Sequence, residues 1–195
     1  MKFSCSKFSL ANMETIVAVI FFGYLGYTFA VYNYVLPTQC KNLDNKAKVA
    51  FDKEKFFEHK DWYVTHLKIE GNNPECTKFV ARIIKEENQK LSLEYRKGGK
   101  DFKCEGFKNP TEKHFCFVCH VAGKPDDIKK FFTVIDVDAG YVSYALVYIC
   151  NDAGSVISDN FLVLQNRGSK VLPSGIKAAL KTVNLKENEL KSNNC

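Results

Sequence analysis

The sequence has little of what most enzymes and carriers need. Histidine occurs four times, tryptophan once and methionine twice in 195 residues. It contains no Gly-x-Ser-x-Gly elbow, no phosphate-cradling glycine loop and no His-Glu-x-x-His helix motif, which removes the recognisable serine hydrolases, nucleotide-binding enzymes and zinc peptidases. Repeats and low-complexity tracts are absent, so neither a solenoid nor a disordered chain is expected. The net charge of +6 is spread along the chain without a basic stripe carrying exposed aromatics, which argues against a nucleic-acid surface. Asn109-Pro110-Thr111 has proline where a glycosylation sequon forbids it. The apolar run Ile16–Phe29 is shorter than the roughly 20 residues a helix needs to cross a bilayer.

That short run is informative in another way. Lys2 and Lys7 precede it, and Thr28 and Ala30 put small residues where a signal peptidase cuts. Residues 1–30 are expected to be a signal peptide, with Met13 as an alternative start, and residues 31–195 to form one secreted domain without a membrane anchor. Eight cysteines fit an oxidising compartment. Seven of them lie in the mature chain, at Cys40, Cys76, Cys104, Cys116, Cys119, Cys150 and Cys195. Their wide spacing suits long-range staples better than one metal cluster, and their odd number leaves one thiol over.

Aromatic residues make up 13% of the chain, with 16 Phe and 9 Tyr, and aromatics favour strands and line apolar pockets. After a short helical turn over Asp52–His59, β-rich runs follow one another: 62–70, 77–85, 90–96, a fourth around Phe102 and Cys104, then 113–121, 128–137, 141–150 and 160–166. Gly71-Asn72-Asn73-Pro74, Gly98-Gly99, Gly123-Lys124-Pro125-Asp126 and Asp138-Ala139-Gly140 punctuate them. Evenly spaced strands with short turns predict an all-β, up-and-down antiparallel barrel. Ile176, Ala179, Leu180 and Val183 recur at helical spacing within Pro173–Val183, which predicts one helix packed outside the barrel.

Two local features carry possible chemistry. Cys116-Phe117-Val118-Cys119 has redox or zinc spacing, with His114 and His120 nearby, but it lies in a strand, so its two cysteines point to opposite faces. No metal site and no catalytic site are expected, and the protein is read as a binder rather than an enzyme. Trp62 opens the first strand. It either plugs the closed end of a small barrel, with Arg167 stacked on its face, or is an ordinary core tryptophan; spacing leaves both open.

Phe51-Asp52-Lys53-Glu54-Lys55-Phe56-Phe57 followed by Asp61-Trp62-Tyr63-Val64-Thr65-His66 resembles the opening of the triabin-like and nitrophorin-like salivary lipocalins of blood-feeding triatomine bugs. Pro74-Glu75-Cys76-Thr77-Lys78-Phe79, Tyr144-Ala145-Leu146 leading to Cys150, and Leu162-Val163-Leu164-Gln165-Asn166-Arg167 support the resemblance over nearly all of the mature chain. Two departures stand out. Lys60 replaces the usual glycine before the tryptophan, and Val137-Asp138-Ala139 keeps only the acid of the usual Thr-Asp-Tyr.

The resemblance implies an eight-stranded lipocalin barrel closed at one end by Trp62 and Arg167. It also implies disulfides Cys40–Cys150, Cys76–Cys195 and Cys104–Cys119, with Cys116 as the odd thiol. It implies interference with host haemostasis, by sequestering a small platelet agonist or vasoactive mediator (an eicosanoid-type lipid or a biogenic amine) in a cavity lined by Val64, His66, Phe79, Leu93, Tyr95 and Phe117. The alternative is inhibition of thrombin or a contact-phase coagulation factor through the barrel-mouth loops at Gly98–Lys100 or Lys124–Asp127. Haem carriage would need a histidine on the third strand, and 90–97 has none, so no cofactor is expected. A monomer is the expected state.

Overall fold

The structure is a computed structural model and describes residues 35–58, 61–68, 77–84, 90–108, 113–121, 127–193 and 195. The expected signal peptide, Lys60 and Cys76 lie outside the described residues, as does most of the mouth loop at Lys124–Asp127. The described residues fall in one compact unit, Val35–Cys195.

A six-residue helix α1 (Lys53–Glu58) leads into eight strands: β1 (Trp62–Leu67), β2 (Lys78–Ile84), β3 (Lys90–Lys97), β4 (Lys100–Lys108), β5 (Phe115–Val121), β6 (Ile128–Val137), β7 (Tyr144–Asp152) and β8 (Ile157–Gln165). Each pairs antiparallel with the next, and β8 and β2 both pair with β1, closing the eight-stranded barrel. Turns therefore alternate between two ends. The mouth carries the β3–β4 and β7–β8 turns, and the opposite end carries the β6–β7 turn and α1. Gly98 and Gly99 have φ of 58° and 70°, a conformation that lets a two-residue loop join β3 to β4 without splaying them.

Helix α2 (Ile176–Thr182) buries Ile176, Ala179 and Leu180 against β7 on the outside. Asn184 follows it in the left-handed region at φ 56°, a common way to end a helix. Beyond a 3-10 turn (Glu187–Glu189), a two-residue strand β9 (Lys191–Ser192) pairs with His66 and Leu67 of β1. Asn193 extends this patch, its N–H donating to Thr65 O at 2.7 Å and its side chain to Val64 O at 3.0 Å. The tail thus pairs with β1 beyond the described contacts of β2. Among the described residues β1 and β2 pair at Trp62↔Phe79 and Tyr63↔Lys78, with Val64 N–H donating to Thr77 O at 2.9 Å beyond them, whereas β7 and β8 pair at nine positions.

Strand order and helix position agree with the sequence reading, while several boundaries moved. The eighth strand starts at Ile157 rather than Asn160, because Ser158 and Asp159 pair with Asn151 and Cys150 in spite of their polarity. The seventh starts at Tyr144, since residues 138–143 form a turn built on one carboxylate. Asp138 accepts hydrogen bonds from the N–H groups of Gly140, Val142, Ser143 and Tyr144. Burial alone would raise its pKa, but these four donors outweigh burial and hold it below the usual value. The acid retained from the altered motif is therefore the organiser of the β6–β7 turn.

Disulfides join Cys40 to Cys150 and Cys104 to Cys119. Cys195 is also disulfide-bonded, and its expected partner Cys76 lies outside the described residues. The first staple pins the segment before α1 along the outer wall, where Tyr148 accepts a hydrogen bond from Lys41 N–H at 2.7 Å and donates to Asp159 at 3.0 Å.

Candidate functional site

Because directly paired residues in an antiparallel sheet share a face, the registers define the barrel's inner surface. One row runs Phe79, Tyr95, Phe102 and Val121; the next runs Ala81, Leu93, Cys104 and Cys119. A third runs Leu91, Gly106, Phe117, Lys130, Asn151 and Ser158. The Cys104–Cys119 bridge is thus an internal rung, and Cys116, at 7% exposure, carries its thiol on the opposite face. The expectation that the two cysteines of Cys116-Phe117-Val118-Cys119 diverge agrees with this register. His114 faces Asp44 at 3.0 Å and His120 faces Asp127 at 2.6 Å, and among the described residues no group of ligands could hold a metal ion.

The closed end is filled with rings. Trp62, 1% exposed, lies against Phe56 with centroids 5.3 Å apart and planes 23° from parallel, and its indole N–H donates to Phe56 O at 3.4 Å. Phe57 meets Phe115 edge-on, and Phe117 meets Phe132 likewise. Gly106 makes room for this: a Cβ there would sit 2.3 Å from the Phe117 ring. Between these rings, Phe79, Ala81 and Leu93 a cavity of about 10 Å³ remains, close to what a single water occupies.

Of the expected cavity residues, Phe79, Leu93 and Phe117 line that space, and Val64 and Tyr95 belong to the same core. His66 does not join them. A register shift between Val64 and His66 breaks the alternation of β1 and turns the imidazole to the outer wall, where its ring nitrogens lie 3.1 Å from Thr65 Oγ1 and 3.2 Å from Lys170 O. Burial lowers its pKa, and the Lys170 carbonyl partly opposes this. Arg167 is exposed just beyond β8, and Trp62 stacks on Phe56.

Lys130 is the inner-face polar residue that the sequence analysis does not single out. It shares the inner face with Phe117 and Asn151, is 4% exposed, and donates from Nζ to Asn151 Oδ1 at 2.6 Å. The same nitrogen stands 5.0 Å from the ring centroid of Tyr95, which belongs to a strand three places round the barrel. The side chain therefore crosses the lumen. Burial pushes its pKa down to about 7, and the charge of Lys97 adds to the effect. Burial also pushes the Tyr95 phenol up. Among the described residues, none that registers with the inner face is Asp or Glu. The signal was present in Ile128-Lys129-Lys130-Phe131-Phe132, since Lys130 shares the parity of Ile128 and Phe132.

A closed eight-stranded meander with a tryptophan at its sealed end and an outer C-terminal helix defines a lipocalin. The chain belongs to the triabin family, whose model matches residues 32–179. It is 34% identical to Triafestin-1 of Triatoma infestans, over 80% of this chain and 79% of that protein, and 29% identical to Pallidipin of Meccus pallidipennis, over 88% and 90%. Among solved structures it is similar to a mutant of LTBP1 in complex with leukotriene C4, at a TM-score of 0.70, 28% identity, and coverage of 83% of this chain and 98% of that one. The tryptamine complex of the amine binding protein of Rhodnius prolixus shares the fold, at a TM-score of 0.61, 21% identity, and coverage of 78% and 85%.

Proposed function

We propose that this protein is a secreted scavenger that interferes with host haemostasis by sequestering a small apolar mediator inside the barrel, an eicosanoid-type lipid rather than a biogenic amine. The observation that carries this reading is the inner face itself. An ammonium group buried there would need a carboxylate partner, and the described inner face offers a lysine instead. Kinship with the triatomine proteins and the likeness to a leukotriene-binding structure support the lipid class. Scavenging is stoichiometric and needs binding groups, not a catalytic constellation.

The cavity beside Trp62 holds far less than the few hundred Å³ that a drug-sized ligand fills, so a chain seated there requires its rings to swing aside. The same small cavity favours a second reading, in which the mouth loops, Gly98–Lys100 among them, inhibit a coagulation protein. Native mass spectrometry with a lipid and amine panel, beside a plasma clotting assay, separates the two. One tightly held lipid supports the scavenger. Delayed clotting with no retained small molecule overturns it in favour of the inhibitor.

A further inference from the structure

We infer that Lys130 is the receptor for the acid group of the ligand, which is therefore an extended apolar carboxylate bound with its chain toward Trp62 and its head toward the mouth. The inference rests on the lipid-scavenger reading and specifies its site. A lysine held across a lumen is an expensive way to fill space, because an aliphatic side chain of that size would pack there without desolvating an amine. Its present contacts are also poor substitutes for a counter-ion: one neutral amide oxygen at 2.6 Å and one ring face at 5.0 Å. The groups that face it are Tyr95 and Lys97 from β3, Phe117 from β5 and Asn151 from β7, with Ser158 of β8 beyond Asn151. Lys97 repels it and nothing among these attracts it as an anion would.

Position gives the ligand its polarity. Lys130 lies beside Phe117, which lines the aromatic cavity on one side, while the exposed Ser158 marks the way to solvent on the other. A chain entering the floor places its head at the level of Nζ. There a carboxylate would replace the Asn151 oxygen and restore full charge to the amine, so binding an ionised acid above neutral pH takes up a proton from solvent.

The test compares three probes with one chain and three heads: oleic acid, its methyl ester and oleylamine. Binding to the wild-type protein, Lys130→Met and Lys130→Gln is followed by calorimetry and by the fluorescence of Trp62, the only tryptophan in the sequence and part of the cavity wall. The wild type is expected to prefer the acid to the ester by about 10- to 100-fold, the range of a charge-assisted hydrogen bond. Both variants should lose that preference while still binding the ester. Calorimetry at pH 8.5 in buffers of different ionisation enthalpy should show proton uptake with the acid in the wild type alone. An acid preference that survives in both variants overturns the role of Lys130 and leaves the scavenger reading standing. Tightest binding of oleylamine overturns the role and the lipid class together. No response to any probe overturns both the role and the small-ligand reading.

Discussion

Around Trp62 the lumen is carbon: Phe56, Phe57, Phe115, Phe117 and Phe132 interlock and leave almost no space. Toward the mouth, Lys130, Asn151 and Ser158 line the same inner face, and one of them brings a charge into the barrel. The floor obeys the ordinary logic of a core, in which each ring gains from contact. The upper level departs from that logic, since it desolvates an amine without a counter-ion among the described residues. One end of the barrel is lined by rings, the other by polar side chains.

Substitutions at the two levels should therefore change stability in opposite directions. Trp62→Ala removes the largest fully buried side chain and should cost about 3–5 kcal/mol in a denaturant titration. Lys130→Met should instead stabilise the ligand-free protein by about 2–4 kcal/mol at pH 6, while weakening acid binding. Its sign follows from the pKa. Below about 7 the folded and unfolded states both hold the proton, and the burial cost is complete. Between about 7 and 10.5 the folded amine is neutral while the unfolded one is still charged, so the unfolded state binds more protons and wild-type stability rises with pH. The gap between Lys130→Met and wild type should shrink across that window, and a constant gap in melting temperature would show that the lysine is charged and satisfied where it stands.

Gly106→Ala drives a methyl into the Phe117 ring at the boundary between the two levels and should cost about 1–3 kcal/mol. If it also weakens the ester probe, the floor is where the chain binds. The smallest effect is expected at Asp138→Asn, outside both levels. It should cost about 1 kcal/mol near pH 7 and converge with wild type in acid, because the depressed carboxyl stabilises the fold above its unfolded pKa and loses that as pH falls through the folded one.

Much of the frame was legible in the chain. Alternation in Leu91, Leu93 and Tyr95, the Gly98-Gly99 turn and the spacing of Ile176, Ala179 and Leu180 each report local geometry, and local geometry is what period and turn chemistry encode. His66 was misplaced because a single irregularity in β1 reverses every later side chain of that strand, and nothing in Val64-Thr65-His66 marks it. β9 was invisible because two residues have no period. Lys130 was overlooked for a different reason. Parity in Ile128–Phe132 places it inward, but a lysine at an inward position conflicts with the apolar pattern by which inward faces are read.

The junction of β1 with β2 is fastened by two described residue pairs and the Val64 N–H to Thr77 O bond, with the C-terminal tail paired to β1 beyond them. Cylinders fail along their thinnest line, and a barrel breathes along it too. Amide hydrogens of Val64 and Phe79, which face that junction, should exchange with solvent orders of magnitude sooner than those of Leu146 and Val163, at the heart of the nine-pair β7–β8 ladder. Faster exchange there than at the strand ends would mean that the wall opens lengthwise, like a seam, before it unravels.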